Sequence, residues 1–180
     1  MMNRFVFAAF VIFPLVIFAA QRKSLDGANK IPAVEKINAE VAELEKRIAA
    51  EDKTLPALKV QYDYHDATEG VPPNFDFYYE QRGSGSAETS VLRVSKTHIG
   101  KEVFSVDHIY YFDSQGRPMK YLVTNSGVAG EGGFPASRDA TFYDPSGKMI
   151  WQSSPELTPP LSFKKILDLF GSLDNSLSKF

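Results

Sequence analysis

Residues 111–117 read Tyr-Phe-Asp-Ser-Gln-Gly-Arg, and residues 142–148 read Phe-Tyr-Asp-Pro-Ser-Gly-Lys. Each stretch is an aromatic pair, an Asp, two further residues, a Gly and a basic side chain. Asp at the first position accepts backbone N–H groups, Pro145 presets φ at the second, and Gly at the fourth takes positive φ. This is the chemistry of a type I turn closed by a left-handed glycine, the usual tip of a short β-hairpin. Two hairpins are therefore expected, with tips at Asp113–Gly116 and Asp144–Gly147, offset by 31 positions (144 − 113). Two copies fall short of a repeat array, which needs about three.

Simple alternation from the first tip pairs Asp113 with Arg117, Tyr111 with Met119, Ile109 with Tyr121 and His108 with Leu122. One face then carries Ile109, Tyr111, Met119 and Tyr121, and the other carries Val106, Tyr110, Phe112 and Leu122. In the second hairpin Phe142 and Ile150 share one face, Tyr143 and Met149 the other. A solvated face would be polar. Both faces are apolar here, so the sheet needs a cover on each side.

Upstream, the period of two continues. Leu58, Val60, Tyr62 and Tyr64 alternate with polar residues, and so do Phe75, Phe77 and Tyr79. Residues 82–87 (RGSGSA) are a flexible turn. A third strand is expected over residues 90–99, and Gly100 turns it into a fourth over residues 103–113. All eight tyrosines fall between positions 62 and 143, in keeping with the aromatic preference of sheet. Further outward the period becomes helical. Val34, Ile37, Val41, Leu44 and Ile48 form one apolar stripe in a helix over residues 32–53, started by Pro32 and barred from continuing by Pro56. The stripe spans only about two heptads, which favours packing on the chain's own sheet over a coiled-coil dimer. Near the other end Pro155–Pro160 is a linker, and Ser162 caps a helix with Phe163, Ile166, Leu167 and Phe170 on one side. Gly171 is expected to weaken that helix after about two and a half turns.

The first residues give location. Arg4 precedes a run from Phe5 to Ala20 without a polar side chain, the charged and apolar regions of an export signal. As a helix these 16 residues reach only ~24 Å, less than a hydrocarbon core. Pro14 breaks the run late, and the best cleavage point is after Ala19. An uncleaved anchor is the alternative, because Arg22 and Lys23 match the positive charge ahead of the run. The organisation is thus an export signal (or anchor) over residues 1–19, a linker over residues 20–31 with Asp26-Gly27 as its breaker, and one domain over residues 32–180. The fold class is α+β: an N-terminal helix, an antiparallel meander of about seven strands and a short C-terminal helix. The domain belongs outside the cytoplasm, periplasmic or secreted, or anchored there if residues 5–20 stay in the membrane.

Composition narrows the function classes. The 180 residues hold 20 Lys plus Arg against 22 Asp plus Glu, a net charge of −2, without the basic excess that nucleic acid requires. There is no cysteine, which removes disulfides, thiolate catalysis and iron–sulfur clusters. His65, His98 and His108 lack the spacing that puts two imidazoles on one metal, so no metal is expected. Asp63 and His65 share a strand face; His65 and His98 are read as polar-face residues and His108 as a core histidine. Ser84 and Ser86 lie in a turn without a nucleophile elbow. The glycine-rich segment 127–135 (GVAGEGGFP) lacks the Gly-Lys-Ser/Thr ending that cradles phosphate, so no cofactor is expected. The expectation is a non-catalytic binding or envelope interaction domain, with a protein or an apolar small molecule as partner and no catalytic residue. His108, Tyr110 and Trp151 are the candidate ligand contacts. The rivals are a small hydrolase or isomerase with a sheet-lined pocket, using His108 with Asp107 or a tyrosine, and a membrane-anchored assembly subunit.

Overall fold

The computed structural model describes residues 23–60, 74–81, 89–99, 105–126 and 137–177. The expected export signal, the turns at 82–87 and Gly100, residues Tyr62, Tyr64 and His65, and the glycine-rich segment 127–135 lie outside them. In chain order the elements are α1 (Leu25–Ala28), α2 (Pro32–Ala49), β1 (Ala57–Val60), β2 (Asn74–Gln81), β3 (Thr89–Ile99), β4 (Ser105–Phe112), β5 (Pro118–Ser126), β6 (Ser137–Tyr143), β7 (Met149–Gln152) and α3 (Phe163–Leu177). The strands form one seven-stranded sheet in sequence order, every neighbouring pair antiparallel. The expected α+β meander between two helices is what the chain builds.

Both faces are covered, as their double apolarity demands. Helix α2 buries Val34, Ile37 and Val41 against Ile109, Tyr111, Leu122, Ala140 and Phe142. Helix α3 buries Ile166 and Phe170 on the opposite face, against Phe75, Phe77, Val91, Val94, Tyr110, Phe112 and Tyr121. The stretch expected as linker contains a helical turn instead. Ser24 caps α1, Ala28 is fully buried, and the Lys23 N–H donates to the Ser153 carbonyl at 2.7 Å. Helix α2 stops four residues earlier than expected. Glu51 takes φ +52°, its N–H donates to the Ile48 carbonyl, and the Asp52 N–H donates to the Arg47 carbonyl, both at 3.1 Å. That pair of bonds is a Schellman closure built without glycine. Helix α3 runs through Gly171 because Leu173, one turn on from Phe170, still packs on the second core.

The hairpin tips form as expected. In the first, the Gly116 N–H donates to the Asp113 carbonyl at 2.9 Å and the Asp113 N–H to the Arg117 carbonyl at 3.0 Å. In the second, the Gly147 and Asp144 N–H groups donate likewise, each at 2.8 Å. Gly116 has φ +74° and Gly147 φ +81°. The Ser146 hydroxyl and the Lys148 N–H hold the Asp144 carboxyl below the usual carboxylate range.

The register beyond the tips differs from simple alternation. Phe112 pairs with Pro118 but Tyr111 pairs with Lys120, so Met119 is an extra residue in β5. Ile109 then meets Leu122, Tyr110 meets Tyr121 and His108 meets Val123. Tyr121 and Leu122 thereby exchange faces relative to the expectation. The second hairpin does the same: Tyr143 pairs with Met149 and Phe142 with Trp151, leaving Ile150 extra. Between β2 and β3, Tyr78 pairs with Arg93 and Tyr79 with Val91, leaving Leu92 extra. A β-bulge of this kind turns two successive side chains toward one side of the sheet. Met119 with Lys120, and Ile150 with Trp151, accordingly all face α2.

Two backbone positions test these turns in opposite directions. A Cβ at Gly147 meets nothing within 4 Å, so Gly147→Val introduces backbone strain alone. At roughly 1–2 kcal/mol it should lower the melting temperature by a few degrees. Glu51→Gly relieves the same strain at the end of α2 and should raise it by a comparable amount. Thermal melts in which both changes move stability the same way would contradict the two assignments.

Candidate functional site

Helix α2 crosses its face of the sheet obliquely. Asn38 reaches Lys120 on β5, Glu45 reaches Arg93 on β3 and Tyr111 on β4, and Arg47 reaches Glu80 on β2. A cavity opens along each flank of the helix.

On the flank facing the hairpin tips lies a groove of about 640 Å³. Its apolar lining comes from Ile37 and Leu44 of α2 and from Leu92, Met119 and Ile150, the three extra residues of the bulges. Pro118 and Pro145 extend it toward the tips, and Arg47, Glu80, Asp113 and Arg117 rim it. Arg47 bonds Asp52 at 2.9 Å and Glu80 at 2.8 Å, and Arg117 bonds Asp113 at 2.7 Å; Lys36, Glu40, Glu43 and Asp144 line the groove as well. The Arg47 guanidinium, with the Thr54 hydroxyl and N–H, holds the Asp52 carboxyl down at about 2.

On the other flank a cavity of about 410 Å³ is lined by Asn38, Val41, Ala42 and Glu45 of α2 and by sheet residues from Arg93 to Arg138. Its floor mixes Ile109 and Leu122 with Tyr111, Thr124 and Lys120. Glu45 accepts from the Arg93 Nε at 2.6 Å and from the Tyr111 hydroxyl at 2.7 Å. Burial, reinforced by that carboxylate, pushes the Tyr111 phenol well above its ordinary value. Lys120 is 6% exposed, unusual for an ammonium. Its Nζ donates to the Asn38 Oδ1 at 2.7 Å and lies 4.9 Å from the centre of the Phe142 ring and 5.9 Å from that of Tyr111. Asn38 is itself oriented by Asn29, whose Oδ1 accepts from Asn38 Nδ2 at 2.8 Å. Burial, and then the nearby Arg138, push the Lys120 amine down to about 8.

The three residues singled out in the sequence do not meet at either cavity. His108 lies on the α3 face, half-buried, with its Nδ1 2.7 Å from the Tyr121 hydroxyl and its ring stacked on that tyrosine at 6.2 Å. Asp107 projects to the α2 face, where the Thr124 hydroxyl lies 3.5 Å from its Oδ2. The His108–Asp107 pairing considered for a hydrolase is therefore split across the sheet. Tyr110 is fully buried under α3, and its oxygen accepts from the Leu161 N–H at 3.3 Å. Burial pushes its phenol up to about 12. Trp151 is half-buried, edge-on to Phe142 at 5.9 Å. Among the described residues, no group of three or more His, Asp or Glu side chains could hold a metal ion.

Lys120 is the residue that sequence reasoning missed. By simple alternation it falls on the face opposite Met119; the bulge carries both onto the face of α2. The only signal available was that second hairpin of the same pattern, and it does not reveal which residue is extra.

The buried amine makes stability depend on pH. Below pH 8 Lys120 is protonated in both folded and unfolded chains, and the fold carries the desolvation cost. From pH 8 to 10.5 the folded chain releases its proton first, so the unfolded chain binds more protons and stability rises with pH. Lys120→Met lacks this dependence, so denaturant titrations should show the wild type gaining on it by up to ~3 kcal/mol across that window. Comparing the two chains cancels the buried tyrosines, whose raised values act in the opposite direction above pH 10. A constant difference would mean that Lys120 is not desolvated. No family model matches this chain, and neither a curated protein nor a solved structure matches it.

Proposed function

We propose that this chain is a non-catalytic binding domain acting outside the cytoplasm, which takes an apolar ligand or an apolar side chain of a protein partner in the groove between α2 and the hairpin tips. One observation carries the reading: three separate bulges each add an apolar side chain, Leu92, Met119 and Ile150, to that one groove. A bulge breaks the ladder and leaves a residue unpaired. Three of them aimed at one space supply apolar surface that flat strands would not place there. The volume of about 640 Å³ falls within the range of small-molecule sites, and the apolar floor sets the preference. Location rests on Arg4 and the apolar run from Phe5 to Ala20.

Nile red, a neutral dye that brightens in apolar surroundings, tests the groove. It should bind the purified protein, and Met119→Trp or Ile150→Trp should remove the signal by filling the space while leaving a cooperative melt. Undiminished fluorescence in both folded variants would overturn the groove as the site. For location, intact-mass analysis from the native host should show a chain beginning at Ala20. A full-length chain in the membrane fraction would replace the exported form with the anchored one, and a full-length chain in the cytosol would sink both.

A further inference from the structure

Lys120 sits in a place that structure alone does not justify. This lysine, a residue only 6% exposed, has one hydrogen bond from its ammonium to a neutral amide and two aromatic neighbours. Methionine would fill the same space without the cost of burying a charge. The cavity that Lys120 lines also receives Arg93 and Arg138, against one lining carboxylate, Glu45. Glu45 is taken by Arg93 at 2.6 Å and by the Tyr111 hydroxyl. Asp107 stands in the same row of the sheet as Thr124 and Arg138 without lining the cavity, so cations outnumber carboxylates three to two even when it is counted. Among the described residues, neither Lys120 nor Arg138 forms an ion pair with a carboxylate. Between their rows on β5 and β6 lie Leu122 and Ala140.

We propose that this cavity binds a small organic carboxylate, its headgroup held by Lys120 and Arg138 and its apolar chain lying on Val41, Ala42, Ile109 and Leu122. The charge pattern excludes a cation. The apolar walls argue against a bare inorganic anion, which would gain nothing from them. A polyanion is a poor fit because Lys120 itself is buried and the chain as a whole is slightly acidic. Asn38, held in place by Asn29, sets the Lys120 ammonium in position before a ligand arrives and leaves two of its three donors for other acceptors. The site is on the opposite flank of α2 from the apolar groove and stands independently of it.

Octanoate, 1-octanol and inorganic phosphate serve as probes in calorimetric titrations of the purified protein at pH 7. Octanoate should bind with a dissociation constant below about 1 mM, and 1-octanol, which keeps the chain but loses the charge, roughly tenfold or more weaker. Lys120→Met should weaken octanoate roughly tenfold or more, the scale of a lost charge-assisted hydrogen bond, while melting no lower than the wild type. Arg138→Gln, at an exposed position, should weaken it as well. Ala42→Trp, a change on the exposed side of α2, should close the cavity and abolish binding without disturbing the core. Octanoate affinity unchanged in Lys120→Met would overturn the proposal. So would 1-octanol binding as tightly as octanoate, phosphate competing octanoate away at equal concentration, or no octanoate binding to the wild type. Nile red binding in the opposite groove should be unaffected by Lys120→Met, which keeps the two sites' outcomes separate.

Discussion

Met119 has no partner across the β4–β5 ladder, and that single extra residue sorts the aromatic core of the protein. In a strand, moving the register by one sends every side chain to the opposite face. With Met119 extruded, Tyr121 lies beside Tyr110 at 5.1 Å and joins Phe112 under α3, while Leu122 joins Ile109 and Tyr111 under α2. Helix α3 docks on the face that Tyr121 has joined. Phe163 meets Tyr110, Phe112 and Tyr143 edge-on at 5.2–5.4 Å, a geometry that places the positive edge of one ring on the negative face of the next. Without the bulge Tyr121 would leave that cluster, and its hydroxyl could not reach His108.

The same constraint sets the chemistry of the other face. Because a bulge turns consecutive residues to one side, Met119 comes with Lys120, and Ile150 comes with Trp151. The first member of each pair, Met119 and Ile150, lines the groove beside the hairpin tips; Lys120 lines the opposite cavity. Burying that ammonium opposes folding, and its compensation is local: the Asn38 amide oxygen, the Phe142 ring face and the Tyr111 ring face. The aromatic pairs Tyr111-Phe112 and Phe142-Tyr143, repeated at the same offset as the tips, supply both ring faces as well as the α3 cluster. One short pattern, used twice, thus serves both cores.

Much of this architecture is legible from residue pattern. The Asp-x-x-Gly tips, the stripe from Val34 to Val41 and the double apolarity of the central strands lead directly to a meander between two helices. What the pattern does not carry is the bulge, since Pro118-Met119-Lys120 reads as ordinary alternation and nothing in it marks the residue that will lack a partner. The error is small in position and large in consequence, for it moves Lys120, Tyr121 and Leu122 to the wrong faces. The end of α2 was hidden for a related reason: Glu51 occupies a left-handed position that sequence logic reserves for Gly or Asn. His108 was placed correctly on the Tyr110 face, and a tyrosine hydroxyl is its partner, although its strand neighbour is Val123. Tyr110 and Trp151 stood out as aromatic residues on strands, but aromaticity alone cannot distinguish a ring packed in a core from one presented to a ligand.

The existence of cavities on the α2 face follows from simple dimensions. Seven strands at about 4.8 Å spacing make a sheet roughly 29 Å across, whereas a helix with its side chains is only about 10 Å wide. A single helix crossing such a sheet must leave apolar surface along both flanks. On the α3 face the preceding segment helps to fill that surface, with Leu157 and Leu161 packed on the core and the Leu161 N–H bonded to Tyr110. On the α2 face the supplementary turn, α1, is tied to the β6–β7 end through Ser153. The central strands beside α2 are where the bulged residues and the buried lysine stand. A sheet wide enough to require two covers keeps the two cavities beside α2 where the twofold hairpin pattern has gathered its least conventional side chains.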